Sequence, residues 1–222
     1  MSLKKQDIYS QFKNNQKYKK KLINFLRENT TVETGGTQIF DGSFKHLLHI
    51  PEELADIIFY LKNNEAKKKR KIKKYLEIGF SHGIANTILN KFFNFKEIVA
   101  VDKFGAHING QTLLPNLRFK NLTLICSDSR DKETINKVDK FKKFDVILID
   151  GDHAYDSVKK DFNNYKSFID KKGLIIMHDI NLENSGSKKF WMELKKSKKY
   201  YFKEIICANY KFNYGVGILQ PR

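Results

Sequence analysis

Long apolar runs are missing from this chain of 222 residues: no stretch approaches 18 consecutive apolar positions, which argues against a membrane-spanning helix. The N-terminus, MSLKKQDIYSQFKNNQKYKKK, is basic but has no apolar core followed by a small-residue cleavage site, so the protein is expected to be soluble, unexported and cytoplasmic. Cysteine is scarce as well. Cys126 and Cys207 each sit in an apolar, strand-like run, and both are expected to be buried free thiols rather than a disulfide or metal ligands. Zinc-finger spacing, an ordered aromatic RNA-binding motif, internal repeats and a Gly/Ser-rich interdomain linker are also lacking.

What is present is enough for one well-cored domain: 41% hydrophobic residues, including 18 Phe. The net charge of +17, from 42 basic against 25 acidic residues, would attract polyanions. The lysines are spread over helical segments among many asparagines, so a compositional bias on solvated faces accounts for them at least as well, and no nucleic-acid partner follows.

Along the chain, residues 1–28 carry Ile8, Phe12, Tyr18, Leu22, Ile23 and Phe25 at helical spacing. Thr30 to Leu48 holds Gly35, Gly36 and Gly42 and reads as a loop or arm; His46 within it and His49 directly after it are as readily structural as substrate-contacting. After Pro51, Leu54, Ile57, Ile58 and Leu61 share a helix face, with Glu52 and Glu53 at a favourable start. EAKKKRKIKK then reads as a solvated connector. From Tyr75 strands and helices alternate: YLEIG, SHGIANTILNKFF, EIVAVD, a helix over 107–114, LTLICSD, RDKETINKVDKF, FDVILID, HAYDSVKKDFNNYKSFID and GLIIMHD. That period predicts a largely parallel, doubly wound α/β sheet covered on both faces. KFWMELKKSK is a final helix, and YYFKEIICANY and YGVGILQ, separated by KFN, read as a hairpin. The division is residues 1–74, N-terminal helices and arm, and residues 75–222, the sheet core, within one compact unit.

Two sets of strand ends carry chemistry. At the first strand, Gly79 permits a tight turn and Gly83 lets a helix start approach a ligand, with backbone N–H groups around Ser81 free for a carboxylate or phosphate. Asp102 ends the next strand 23 positions after Gly79, where it suits the two hydroxyls of a ribose. The loop with Asp128 and Ser129 lies at the same edge, within reach of an adenine. The second set follows the two most apolar strands: Asp150, Asp152 and His153, then His178 and Asp179. Adjacent parallel strands would bring them together at the carboxyl edge, and aspartate oxygens with a histidine suit Mg²⁺, Mn²⁺ or another first-row divalent ion.

EIGFSHG, the acidic end of IVAVD, and LIDGDHAYD followed by KKGLIIMHD resemble the class I S-adenosylmethionine-dependent methyltransferases, and more narrowly the metal-dependent small-molecule O-methyltransferases of the macrolide-sugar and cephalosporin-hydroxylase-like group. The resemblance implies a Rossmann-like sheet of seven strands, mostly parallel, with the last antiparallel. It implies S-adenosylmethionine at Glu77, Gly79, Ser81 and Gly83, ribose hydroxyls at Asp102, and adenine near Asp128 or Ser129. It further implies a divalent metal, Mg²⁺ or Mn²⁺, on Asp150 and Asp179, and His153 as general base beside Asp150. His178 stands where several relatives have an acidic residue, so it is a ligand, a support for the ligands or a substrate contact. Asp152 either orients His153 or caps the next helix. The activity implied is methylation of a hydroxyl on a sugar or other polyol-containing small molecule, and a homo-oligomer is compatible with it. The competing readings are a nucleotide-sugar or hydroxylated-lipid modifying enzyme, and an inactive cofactor-fold module that binds RNA or a protein through its basic surface.

Overall fold

The structure is a computed structural model that describes residues 7–29, 31–32, 46–47, 49–81, 83–104, 120–207 and 214–222. The helix expected over 107–114, most of the arm and the KFN connector lie outside the described residues. The elements begin with helices α1 (Asp7–Ser10) and α2 (Gln16–Asn29), two-residue strands β1 (Thr31–Val32) and β2 (His46–Leu47), and α3 (Pro51–Lys68). The sheet then builds through β3 (Lys74–Ile78), α4 (Ile84–Phe93), β4 (Glu97–Asp102), β5 (Leu122–Cys126), α5 (Lys132–Asp139), β6 (Phe144–Ile149), α6 (Tyr155–Tyr165) and β7 (Ile169–His178). It ends with α7 (Gly186–Lys195), β8 (Tyr200–Ile205) and β9 (Val216–Pro221).

Seven strands form one sheet in the order β5-β4-β3-β6-β7-β9-β8. The first five are parallel, and β9 runs antiparallel between β7 and β8, so the expected terminal hairpin exists and also closes onto β7. The order reverses at β3, between β4 and β6, which is where open α/β sheets leave a crevice at their carboxyl ends.

Strand alternation sorts the core into two layers. Tyr75, Val146, Leu148, Leu174 and Ile176 face α2, α3 and α4, packing with Leu22, Leu26, Leu54, Ile58 and Leu89. Leu76, Ile78, Ile147, Ile149, Ile175 and Met177 face α5, α6 and α7, packing with Val138, Val158, Phe162, Phe190 and Trp191. The N-terminal helices thus share a core with the sheet.

Three expectations need correction. The α6 pattern stops at Tyr165: after a short 3-10 turn, Ile169 already pairs with Phe144 as strand, and β7 bulges before Leu174 pairs with Val146. The basic connector is shorter than expected, because Glu65 to Lys68 continue α3 and buried Glu65 then accepts the Ile72 backbone N–H (2.8 Å), turning the chain into β3. Cys126 is free but exposed, and Cys207 is half-buried, since β5 is an edge strand on which Ile125 takes the inward position.

The cationic charge is not evenly spread. Exposed Lys73, Lys96, Lys120 and Lys143 stand just before β3, β4, β5 and β6, making the amino edge of the sheet basic while the acidic strand ends lie opposite. That edge is tied by Asp145, which accepts the Lys73 and Lys74 backbone N–H groups (2.7 and 2.9 Å) and pairs with Arg70. Asp145→Ala strands these donors, and chemical denaturation is expected to show a loss of roughly 2–3 kcal/mol. No helix among the described residues is long and apolar enough to cross a membrane.

Candidate active site and metal cluster

The strand alternation that builds the two core layers also aims the strand-end side chains. Asp150 and His178 continue the series Val146–Leu148 and Leu174–Ile176, so both point to the α3 face. Asp179 lies just past the end of β7, where its φ of +59° turns the backbone, and its carboxylate reaches both sides: Oδ1 is 3.1 Å from His178 Nδ1 and Oδ2 faces His153.

On the α3 face Asp150 meets two histidines. His178 Nδ1 is 3.0 Å from Asp150 Oδ1, and His49 Nε2 is 3.2 Å from Asp150 Oδ2. The two imidazole rings are 4.4 Å apart, and Tyr214 stacks on His178 at 6.1 Å. His49, Asp150 and His178 each offer a donor atom, all within 4.8 Å of one another, which is the spacing of ligands about a single ion. Glu53 of α3 is fully buried behind them: its Oε1 accepts the Gly215 backbone N–H (2.8 Å) and its Oε2 lies 3.5 Å from His178 Nε2. Burial by itself would raise the Asp150 carboxyl, but His178 and His49 overcome this and hold it well below the usual carboxylate range. Burial opposes charge on His178, whereas Asp150 and Asp179 reverse that and raise its pKa well above the ordinary value.

Four buried polar atoms here have no hydrogen-bond partner: His49 Nδ1, Glu53 Oε2, His178 Nε2 and Asp179 Oδ1. Such groups are costly to leave unpaired. The spacing of the converging donor atoms of His49, Asp150 and His178 is what fits a bound divalent cation.

On the other face, His153 Nδ1 is 3.3 Å from Asp179 Oδ2 and 3.5 Å from Ser187 Oγ, while its Nε2 is 3.9 Å from Asp150 Oδ1. The His153 side chain is 40% exposed where that of His178 is 6% exposed, so His153 is the histidine open to an incoming molecule. It opens on a cavity of about 620 Å³ whose walls include Tyr155, Asp179, Leu182, Asn184 and Lys189. Asp152 points away from this. Its Oδ1 accepts the Ala154 N–H (3.0 Å) just before α6, and its Oδ2 accepts from the Ser157 hydroxyl (2.8 Å), so its carboxylate is engaged at the start of that helix rather than with His153.

The cofactor-side residues line the ends of β3, β4 and β5, where Ile78 pairs with Val101 and Asp102 with Cys126. Gly79 has φ +91° and a Cβ there would stand 2.1 Å from the Asp150 carbonyl oxygen, so the turn lies against the metal cluster's own backbone. Gly83, φ +71°, leaves room for the Phe80 ring. Asp102 closes this loop, accepting the Ser81 N–H (2.8 Å) and the Phe104 N–H (2.7 Å). The two residues expected near adenine have internal partners. Asp128 accepts from Arg130 Nε (2.7 Å) and is held below the usual carboxylate range by that guanidinium. Ser129 donates to buried Asp161 (2.6 Å), whose carboxyl burial raises to about 6.

Glu77 lies buried beneath the turn, accepting from Asn86 of α4, and burial raises its carboxyl from 4.5 to about 8. The folded chain therefore holds a proton that the unfolded chain releases. This group's contribution to stability falls as pH rises from about 4.5, with the loss complete above about 8. Melting curves against pH are expected to be flatter for Glu77→Gln than for wild type over that window. Identical slopes would show Glu77 ionised in the fold.

Sequence reasoning missed Glu53 and did not single out His49. Glu53 could have been found, because it shares a helix face with Ile57 and Leu61, at i+4 and i+8, and an acidic residue on a buried stripe needs a partner. His49 precedes the helix without any periodic signal.

The seven-stranded order, the glycine turn at the end of β3 and the acid at the end of β4 define the class I S-adenosylmethionine-dependent methyltransferase fold, here with a candidate metal site. A family model described as a methyltransferase domain matches residues 76–180, the segment that contains every strand end named above. In curated sequences the chain is 27% identical over 111 residues to uncharacterized protein R132 of Acanthamoeba polyphaga mimivirus, covering 47% of this chain and 50% of that one. The chain thus spans about half the length of that relative. Among solved structures it is similar to a Staphylococcus aureus protein described as a caffeoyl-CoA O-methyltransferase (TM-score 0.60, 19% identity, 76% of this chain and 82% of that one). It is also similar to the N-methyltransferase NodS of Bradyrhizobium japonicum with S-adenosyl-L-homocysteine (TM-score 0.58, 12% identity, 90% and 98%). A third is MycE of the mycinamycin biosynthetic pathway with Mg and SAH (TM-score 0.54, 14% identity, 76% and 53%). At these identities the likeness is one of fold, and the fold serves both oxygen and nitrogen acceptors.

Proposed function

We propose that this protein is an S-adenosylmethionine-dependent O-methyltransferase, assisted by a divalent metal, that acts on a hydroxyl of a sugar or another polyol-containing small molecule. The observation that carries the reading is the position of His153, half-exposed on the cavity, 3.3 Å from Asp179 and 3.9 Å from Asp150. A general base must stand within reach of both the acceptor and the cofactor turn. Gly79 brings that turn against Asp150. Asp179 holds the Nδ1 side of the ring, which leaves Nε2 to take the acceptor hydroxyl's proton and places a carboxylate beside the imidazolium that forms. When bound, a divalent ion polarises an acceptor oxygen as a Lewis acid. His49, Asp150 and His178 would hold it. Asn184 and Lys189 on the cavity wall bring polar groups to further hydroxyls of the acceptor, within a lining that is otherwise largely apolar. MycE, crystallised with Mg and SAH, supports the pairing of metal and cofactor in this fold.

Calorimetry with S-adenosylmethionine and S-adenosylhomocysteine, with and without divalent metal, tests the cofactor half, and label transfer from methyl-labelled cofactor to a panel of polyols tests the acceptor half. Binding of neither nucleoside under any condition overturns the reading. The basic amino edge of the sheet favours a second reading, an inactive module that binds RNA. Saturable RNA binding by a protein that takes up no cofactor is its signature.

A further inference from the structure

We infer that the cluster of His49, Asp150 and His178 is a nitrogen-rich site that selects a first-row transition ion over Mg²⁺, and that Glu53 is the positioning residue for His178. This deepens the methyltransferase reading by naming the class of metal, and it rests on that reading only for the ion's part in methyl transfer.

The donor set decides the class. Two of the three residues that converge are imidazoles. Mg²⁺ demands a near-octahedral shell of oxygens and parts reluctantly with water, whereas imidazole nitrogen suits iron, cobalt, nickel, copper and zinc. Bonds of about 2.0–2.2 Å around one such ion place its ligand atoms about 3–4 Å apart. The separations in the structure, 3.0 Å from His178 Nδ1 to Asp150 and 3.2 Å from His49 Nε2 to Asp150, fall in that range. No cysteine reaches the cluster among the described residues, which sets it apart from thiolate zinc sites. Two imidazoles and one carboxylate, with further positions open, form instead the set that serves octahedral or five-coordinate transition ions.

Glu53 supplies the support that such a histidine needs. A metal-bound imidazole ordinarily donates its other N–H to a carboxylate, which fixes the ring's tautomer and orientation. Here Glu53 is clamped through Oε1 by the Gly215 N–H, and its unpartnered Oε2 lies 3.5 Å from the unpartnered Nε2 of His178. A proton on Nε2 facing Glu53 leaves the Nδ1 lone pair directed at the Asp150 side. The orientation of this ligand is thereby set by α3, an element of the N-terminal extension, and by the start of β9.

The test uses the full chain stripped with a chelator and then titrated with Co²⁺, Mn²⁺ or Mg²⁺, following heat and visible absorption. Co²⁺ is expected to develop ligand-field bands and to bind roughly tenfold or more tighter than Mg²⁺. His49→Gln and His178→Asn are each expected to weaken Co²⁺ and change its bands. Glu53→Gln is expected to lower Co²⁺ affinity by about 10–100-fold and to shift the bands, a signature that loss of packing alone would not give. Mg²⁺ binding as tight as Co²⁺ in the wild-type chain overturns the metal class, whatever the variants do. Co²⁺ bands unchanged by both histidine variants overturn the ligand set, and bands unchanged in a folded Glu53→Gln overturn its positioning role. S-adenosylhomocysteine calorimetry on the same samples separates the two proposals: intact cofactor binding without metal preference rejects this inference alone, and selective Co²⁺ binding without cofactor binding rejects the methyltransferase reading alone.

Discussion

His153→Ala is expected to lower the methyl-transfer rate by about 10²–10⁴-fold, the range a positioned general base contributes, while S-adenosylhomocysteine affinity stays within about twofold. The asymmetry follows from where the ring stands. His153 touches Asp179 and approaches Asp150 and Ser187, but among the described residues no contact ties it to Gly79, Ser81, Gly83 or Asp102. It is also half-exposed, so its removal opens no core cavity and the melting temperature is expected to change little. A parallel loss of rate, cofactor affinity and stability would show that His153 acts through structure. Full activity in the variant would reject it as the base and return the proton to another acceptor.

Gly79→Ala is expected to have the largest effect on the fold and the site together. A Cβ at this position would stand 2.1 Å from the Asp150 carbonyl oxygen and 2.8 Å from Gly151 Cα, both backbone atoms that cannot turn aside, and the φ of +91° is one that an L side chain rarely adopts. Relief requires the turn to part from the end of β6. That movement breaks the Asp150 N–H bond to the Ile78 carbonyl (2.8 Å) and displaces the residue at the centre of the metal cluster. Denaturation is expected to show a loss of roughly 3 kcal/mol or more, with cofactor and metal uptake lost together. Gly151→Ala is the control, since a Cβ there meets Ile78 Cγ2 at an ordinary 3.6 Å and is expected to be tolerated. Wild-type stability and cofactor affinity in Gly79→Ala would show that the turn can be held off β6 without harm.

The strands were legible because each is an apolar run ending in a charged residue or glycine, and a strand buried on both faces needs no alternation to be seen. EIVAVD occupies β4 with its predicted limits, and FDVILID forms β6 up to Ile149, one residue short of Asp150. Boundaries failed where a local pattern had two uses. Ile169 continues the α6 stripe at helical spacing, yet it pairs with Phe144 as the first residue of β7, because edge-to-edge hydrogen bonding there outweighs one more half-turn of helix. Glu65 extends α3 into the basic stretch for a comparable reason, since its buried carboxylate has the Ile72 N–H to accept.

The candidate site divides in the same way. Asp150, His178 and Asp179 stand out in the sequence because they follow the two most apolar strands, and parallel neighbours must bring their carboxyl ends together. Alternation places His178 toward α3 but does not place Asp179, which lies just past β7 at positive φ and reaches both His178 and His153. The sequence by itself thus determined the sheet, its glycine turn and the acidic strand ends, all of which follow from periodicities of two and 3.6 and from residues in fixed succession. Only the tertiary structure decided what completes them. His49 and Glu53 reach Asp150 and His178 because α3 packs on that face of the sheet, and the energy of placing a buried histidine and a buried carboxylate there comes from partners distant in sequence, which no local pattern encodes.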